Sequence, residues 1–218
     1  MKTVALIVAG GIGIRLERKI PKQFLLIDNL PVLMHTINKF SHLNKVVLVI
    51  PKNYFEYWNA LCKKHNFTTC HKLVEGGGNR FLSVKNGLDN INDCDVVAIH
   101  DGVRPIVSKQ LINDAIKLIN INTGVIPILP VINTIRQIKN NLSKNLERKT
   151  LFYVQTPQCF KYEEILNAYK QPYSDLFTDD ASVFEANGGK ITTLKGEGGN
   201  IKITKPEDLK IAGLFLRT

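Results

Sequence analysis

The residues best able to do chemistry lie in five short stretches of the chain. The stretch "AGGIGIRLERKIPKQF" (9–24) follows the apolar run Val4–Val8 and combines Gly10, Gly11 and Gly13 with the cations Arg15 and Lys22. A second glycine loop, "EGGGNRFLSV" (75–84), leads into a helical pattern and places Ser83 where it could face a base or ribose. "IHDGVRP" (99–105) supplies Asp101, a carboxylate able to meet a metal or a sugar hydroxyl, together with Arg104. "QTPQCF" (155–160) adds the Thr156 hydroxyl and "NIKITKPEDL" (200–209) adds Lys202.

Glycine-rich turns after a first strand serve three chemistries, and two are excluded here. A Walker A loop ends in Gly-Lys-Ser/Thr, whereas Gly13 is followed by Ile14-Arg15-Leu16. A dinucleotide fingerprint needs a small residue where Leu16 stands and an acid closing the second strand, which here closes with Ile50-Pro51-Lys52. What remains is a loop whose amides wrap a triphosphate while neighbouring side chains supply countercharge. These loops hold no Ser, His or Cys triad, and the chemistry they suit needs no general base. A phosphate monoester is already an anionic nucleophile, so the work is to bring two anions together and stabilise the charge that builds on phosphorus.

The elements that must position these residues follow from hydrophobic periodicity. Apolar runs at Thr3–Val8, Val46–Ile50, His71–Val74, Asp95–Ile99 and Val125–Val131 read as strands, several of them apolar on both faces. Helical spacing over Pro31–Phe40, Tyr54–Lys64, Arg80–Asn90 and Lys109–Ile119 alternates with them, with Ser108 as N-cap of the last. The alternation predicts an α/β fold, a doubly wound, mostly parallel twisted sheet with helices on both faces and its site at the carboxyl ends of the strands. Between about 133 and 154 the pattern breaks into a projecting β-hairpin arm turning at "KNNLSKN". Beyond it come helices at Glu163–Tyr169 and Asp179–Ala186, the latter capped by Thr178, a strand pair around "KITTLKGEGGNIKIT", and a closing helix from Pro206. A single domain over 1–218 with an arm is expected.

Composition narrows the partners. The net charge of +10 favours an anionic partner, while the interleaved aromatics of a nucleic-acid surface are not evident, so a phosphorylated small molecule is expected rather than nucleic acid. Cys62, Cys70, Cys94 and Cys159 are scattered, without the pairing of a zinc site or disulfide framework. No apolar stretch reaches membrane-spanning length and no signal-peptide layout is present, so no membrane association and a cytoplasmic location are expected.

The blocks "AGGIGIRL", "PKQFL", "GGGNRFLSV", "HDGVRP", "NTIRQI", "QTPQCF", "TDDASVFE" and "NIKITKPEDL" resemble, in order and spacing, the 2-C-methyl-D-erythritol 4-phosphate cytidylyltransferases of isoprenoid biosynthesis. The resemblance implies a Rossmann-like nucleotidyltransferase fold, a homodimer formed through the hairpin arm, and CTP and a sugar-alcohol phosphate as substrates. It also implies magnesium, bound mainly through the CTP phosphates with no protein ligand set assigned. Arg15 and Lys22 fall on the family's transition-state stabilisers, and Arg148 and Lys202 on residues that position the substrate phosphate, Arg148 reaching in from the partner's arm. Nucleotide contacts are expected at Ala9, Gly10, Gly11, Gly13, Gly77, Ser83 and Asp101, and acceptor contacts at Asp101, Arg104, Thr134, Arg148, Thr156 and Lys202. Asn133 departs from the acidic residue that many relatives carry there. Two rivals stand beside this reading: a sister cytidylyltransferase acting on ribitol 5-phosphate, and a non-catalytic binder on the same scaffold. "TDDASVFE" argues against the first, and the presence of Arg15, Lys22, Arg148 and Lys202 argues against the second.

Overall fold

The computed structural model describes residues 1–10 and 20–217. In chain order its first half contains β1 (Thr3–Val8), the short hairpin β2 (Leu26–Ile27) and β3 (Leu30–Pro31), α1 (Val32–Lys39), β4 (Lys45–Ile50), α2 (Phe55–Lys64), β5 (Lys72–Glu75), α3 (Arg80–Asp89), β6 (Val96–Asp101), α4 (Lys109–Lys117) and β7 (Thr123–Pro130). An arm of β8 (Ile135–Lys139) and β9 (Leu142–Leu146) follows, then β10 (Phe152–Val154), β11 (Gln158–Lys161), α5 (Tyr162–Ala168), α6 (Asp180–Ala186), β12 (Lys190–Lys195) and α7 (Pro206–Arg217).

One eight-stranded sheet orders the strands β5-β4-β1-β6-β11-β7, with β10 and β12 also on β7. Alternation along each strand feeds two cores. Ala5 and Ile7 of β1 join Leu33, Ile37, Trp58, Ile112 and Ile116 on the face covered by α1, α2 and α4. Val4, Leu6 and Val8 join Val84, Leu88, Ile165 and Phe184 on the opposite face, under α3, α5 and α6. Strands apolar on both sides are what a sheet sandwiched between helix layers requires.

The order places the working edge. The chain moves outward from β1 to β4 and β5, then returns through α3 to lay β6 on the other side of β1, so a crevice opens between the carboxyl ends of β1 and β6. All pairings among β5, β4, β1 and β6 are parallel, but β11 runs antiparallel to β6. Its beginning therefore lies at the end of β6, which brings Thr156 to Asp101.

Three local expectations are corrected. Helix α6 is capped by Asp179 rather than Thr178: its carboxylate accepts the Ser182 amide at 2.9 Å while the Ser182 hydroxyl accepts the Asp179 amide, a reciprocal capping box. The second strand of the "KITTLKGEGGNIKIT" pair does not form, because residues 201–204 join no ladder. Their alternation comes instead from Ile203, which packs with Ile27, Val32, Val103 and Ala212. The arm's turn is narrower than "KNNLSKN". Asn140 and Asn141 alone make it, both in the left-handed region with φ of 49° and 61°, as a two-residue type I′ connection demands.

Candidate active site

Parallel pairing sets Val8 of β1 opposite Asp101 of β6. The two strand exits approach closely: a Cβ on Gly102 would lie 2.8 Å from the Ala9 Cβ, so glycine is required there. The Ala9 carbonyl receives the side-chain amide of buried Gln23 at 2.8 Å, which fastens the "PKQF" turn to the start of the glycine loop. Gly77 is equally constrained, because a Cβ would fall 2.4 Å from the Leu82 Cβ. Ser83 is buried beside Gly10 and Gly76, its hydroxyl donating to the Asn79 carbonyl at 2.8 Å and accepting the Gly77 amide at 3.1 Å. Its role in the structure is to shape the loop that Gly10 and Gly77 line. Gly11, Gly13 and Arg15 lie outside the described residues.

Asp101 is the electrostatic centre. Its carboxylate lies 2.9 Å from the Lys202 ammonium, 3.4 Å from Arg104 Nε and 3.6 Å from Arg80 Nε. Burial alone would raise the Asp101 carboxyl, but Arg80, Lys202 and Arg104 together hold it well below the usual carboxylate range. Arg80 also makes a two-pronged pair with Asp180, at 2.8 and 2.7 Å, and Tyr169 donates its hydroxyl to the same carboxylate at 2.6 Å. Three cations thus meet two carboxylates and the group keeps net positive charge. Lys22 adds to it from the short 3-10 turn Lys22–Phe24, its ammonium donating to the Ile203 carbonyl one residue past Lys202.

The loop that delivers Lys202 is stapled from three sides. Gln155 donates to the Glu197 carbonyl and accepts the Glu197 amide, at 2.8 and 3.1 Å. Asn200 donates to the Thr156 carbonyl at 2.8 Å, and its own carbonyl receives Arg104 at 2.9 Å. The Glu197 carboxylate accepts both the amide and the hydroxyl of Ser108, the N-cap of α4. Thr156 is buried, and its hydroxyl accepts the Asp101 amide at 3.1 Å.

The structure therefore gathers Ala9, Gly10, Gly77, Ser83, Asp101, Arg104, Thr156, Lys202 and Lys22 around one sheet edge. Thr134 and Arg148 stand elsewhere, exposed at the base of the arm, where Arg148 donates to the Ile132 carbonyl. Residue types alone passed over Gln23, Arg80, His100, Gln155, Tyr169, Asp180 and Asn200. Arg80 carried a signal, a cation directly after a glycine loop. Asp180 carried another, the second acid of "TDD" at a buried helix start.

A family model described as 2-C-methyl-D-erythritol 4-phosphate cytidylyltransferase matches residues 3–218. The chain belongs to this family. Relatives of that description include proteins of Porphyromonas gingivalis, 44% identical over 99% of this chain and 98% of the relative, and of Bacteroides fragilis, 42% identical over 99% and 100%. Among solved structures, the methylerythritol phosphate cytidylyltransferase of Thermus thermophilus superposes with a TM-score of 0.83 at 26% identity, covering all of both chains. The 4-diphosphocytidyl-2C-methyl-D-erythritol synthase of Anaerococcus prevotii gives 0.82 at 28% identity, covering 100% of this chain and 99% of that one. The Rossmann-like nucleotidyltransferase fold expected from the sequence is thereby shown.

The cluster also limits how a metal could be held. Among the described residues no group of three or more His, Cys, Asp or Glu side chains converges. Asp101 is the one carboxylate of the cluster that is not fully buried, and it is already ringed by cations. This donor set fits a magnesium ion held chiefly by substrate phosphates and water, as that ion commonly is. No helix among the described residues is long and apolar enough to cross a membrane.

Proposed function

We propose that the cations gathered at the ends of β1 and β6 carry out the reaction for which the family is named. The 4-phosphate of 2-C-methyl-D-erythritol attacks the α-phosphorus of CTP, the bond to the β-phosphate oxygen breaks, and 4-diphosphocytidyl-2-C-methyl-D-erythritol and pyrophosphate leave. The observation that carries this reading is the positive cluster of Lys202, Arg104 and Arg80 on Asp101, with Lys22 held one residue past Lys202, beside Gly10 and Gly77, in a chain matched to the family over nearly its whole length.

The division of labour in this reading follows the family resemblance, and the geometry of the described residues supports it. Ala9, Gly10 and Gly77 border the nucleotide's place and, with Gly11 and Gly13, supply amides to the triphosphate. Lys22 and Arg15 neutralise charge as the fifth oxygen bonds to phosphorus. Lys202 and Arg104 take the acceptor phosphate, and Asp101 both holds these cations and accepts acceptor hydroxyls. Magnesium, where bound, would be held chiefly by the substrate phosphates and would draw charge from their oxygens. No residue need remove a proton, since the attacking phosphate is already anionic. Pyrophosphate release from CTP with magnesium, assayed side by side with 2-C-methyl-D-erythritol 4-phosphate and ribitol 5-phosphate, tests the reading. Turnover with the first and little with the second is expected, and the reverse preference would reject it.

The arm supports a homodimer. Among the described residues its two strands pair only with each other, and an isolated two-stranded hairpin is marginally stable in water. Ile132, Ile138, Leu142, Phe152, Tyr153 and Val154 are all exposed along it and its base. A second copy of this chain covers that apolar surface in our reading and receives Arg148 and Thr134 at its acceptor site. Mixing Arg148→Ala protein with Lys22→Ala protein should then restore part of the activity, because half the sites of a heterodimer keep both residues. Activity no higher than the sum of the separate variants would place Arg148 in its own subunit's site.

A further inference from the structure

His100 occupies a core position. Along β6, Val96 and Ala98 face the core under α1 and α4, and by the same alternation so does His100, which is fully buried with its ring 4.7 Å from that of Phe40. An apolar residue would fill this place without the cost of desolvating an imidazole, so the hydrogen bonds it makes must be accounted for.

Its protonation state follows from them. Burial pushes the imidazole down to about 4, so it is neutral at physiological pH. Nε2 lies 3.0 Å from the Arg104 carbonyl, which can only accept, so Nε2 carries the proton. Nδ1 must then accept, and the partner 3.0 Å away is the Thr156 hydroxyl. With its proton given to His100, that hydroxyl accepts the Asp101 amide. The chain of bonds is therefore directional: Asp101 amide to Thr156, Thr156 to His100, His100 to the Arg104 carbonyl. The Arg104 amide donates back to the Asp101 carbonyl at 3.1 Å, which closes the turn between these residues.

We propose that His100 is a positioning residue of the acceptor site, fixing the turn from Asp101 to Arg104 and the start of β11 so that the carboxylate and guanidinium meet the sugar phosphate in one register. This rests on the acceptor reading given above for Asp101 and Arg104. It also gives Thr156 a second duty, because its hydroxyl proton is committed inward to His100 and only its remaining lone pair can face an acceptor hydroxyl.

Three variants and one spectrum test it. His100→Leu removes both bonds, and the Michaelis constant for the sugar phosphate is expected to rise about tenfold, the factor for one ordinary hydrogen bond. In His100→Asn the side-chain oxygen can still accept from Thr156, so the constant should stay within about threefold of wild type. His100→Gln reaches the Arg104 carbonyl but not Thr156, and should resemble the leucine variant. A purely structural histidine would lower the melting temperature of all three and leave the Michaelis constants of the folded variants alike, which would overturn the proposal. If His100→Leu does not fold, the Asn and Gln pair decides: equal constants overturn it. Nitrogen-15 spectra of the wild type read the tautomer without reference to activity. Protonated Nε2 with bare Nδ1 is expected, and the opposite tautomer would overturn the hydrogen-bond chain on which the proposal stands. A wild type that shows this tautomer but releases no pyrophosphate would instead reject the cytidylyltransferase reading.

Discussion

Replacing Lys22 by alanine is expected to lower turnover about 100- to 1000-fold while changing CTP affinity far less, the loss typical of one preorganised charge aimed at a transition state. The ammonium is held by the Ile203 carbonyl beside Lys202, so its position is set before substrate arrives. That is the condition under which a charge stabilises the pentacoordinate phosphorus more than the ground state. Lys22→Arg should not restore full activity, since the planar, longer guanidinium cannot place its charge at the same point. Single-turnover rates and CTP binding measured on the same protein separate the two effects. A turnover number within a few-fold of wild type would remove Lys22 from the chemistry and leave it as a support for the segment carrying Lys202.

The sequence made the sheet legible because its strands are unambiguous where both faces are buried. Leu6 and Ile7 face opposite cores, as successive residues of a strand do, and the run is short and rich in β-branched residues, as strands are. Ser108 was legible as a cap because a serine before an amphipathic run has a local job, and its hydroxyl does accept the Leu111 amide. What could not be read were pairings across sequence distance. Arg80 and Asp180 stand 100 residues apart, and nothing near either one announces the other. His100 looked like one more strand residue, since its significance depends on Thr156 arriving from an antiparallel strand. The "NIKIT" segment misled for a related reason. Its alternation is real, with Ile201 half-buried and Ile203 buried on either side of exposed Lys202, but its backbone is held by Val103 and Lys22 rather than by a neighbouring strand. The chemistry-bearing side chains were thus named from their types, while the residues that hold them in place were recoverable only from the fold.

The second large effect concerns stability and falls on Asp180. This carboxylate is fully buried at the start of α6, and its charge is met by Arg80 and its lone pairs by Tyr169 and Arg80. Asp180→Ala leaves the guanidinium without its main partner and the phenol without an acceptor. Breaking such a pair typically costs about 3–5 kcal/mol, and the lower end applies because the Arg80 side chain is 30% exposed. The loss should appear as a large drop in melting temperature at neutral pH. It also reaches the site: Arg80, released from Asp180, can turn its full charge on Asp101 and compete with Lys202 for that carboxylate. Residual folded protein is therefore expected to show a raised Michaelis constant for the sugar phosphate. Replacing the whole group by apolar residues, Arg80→Met with Asp180→Leu and Tyr169→Phe, separates the two consequences. Removing both charges and the phenol together avoids the stranded cation, so most of the stability should return. Activity should not return with it, because Asp101 then lacks one of the three cations that hold it ionised and in place. A triple variant as unstable as Asp180→Ala would show that packing around α6, rather than the ion pair, sets the cost; full activity would show that Arg80 acts on the core alone.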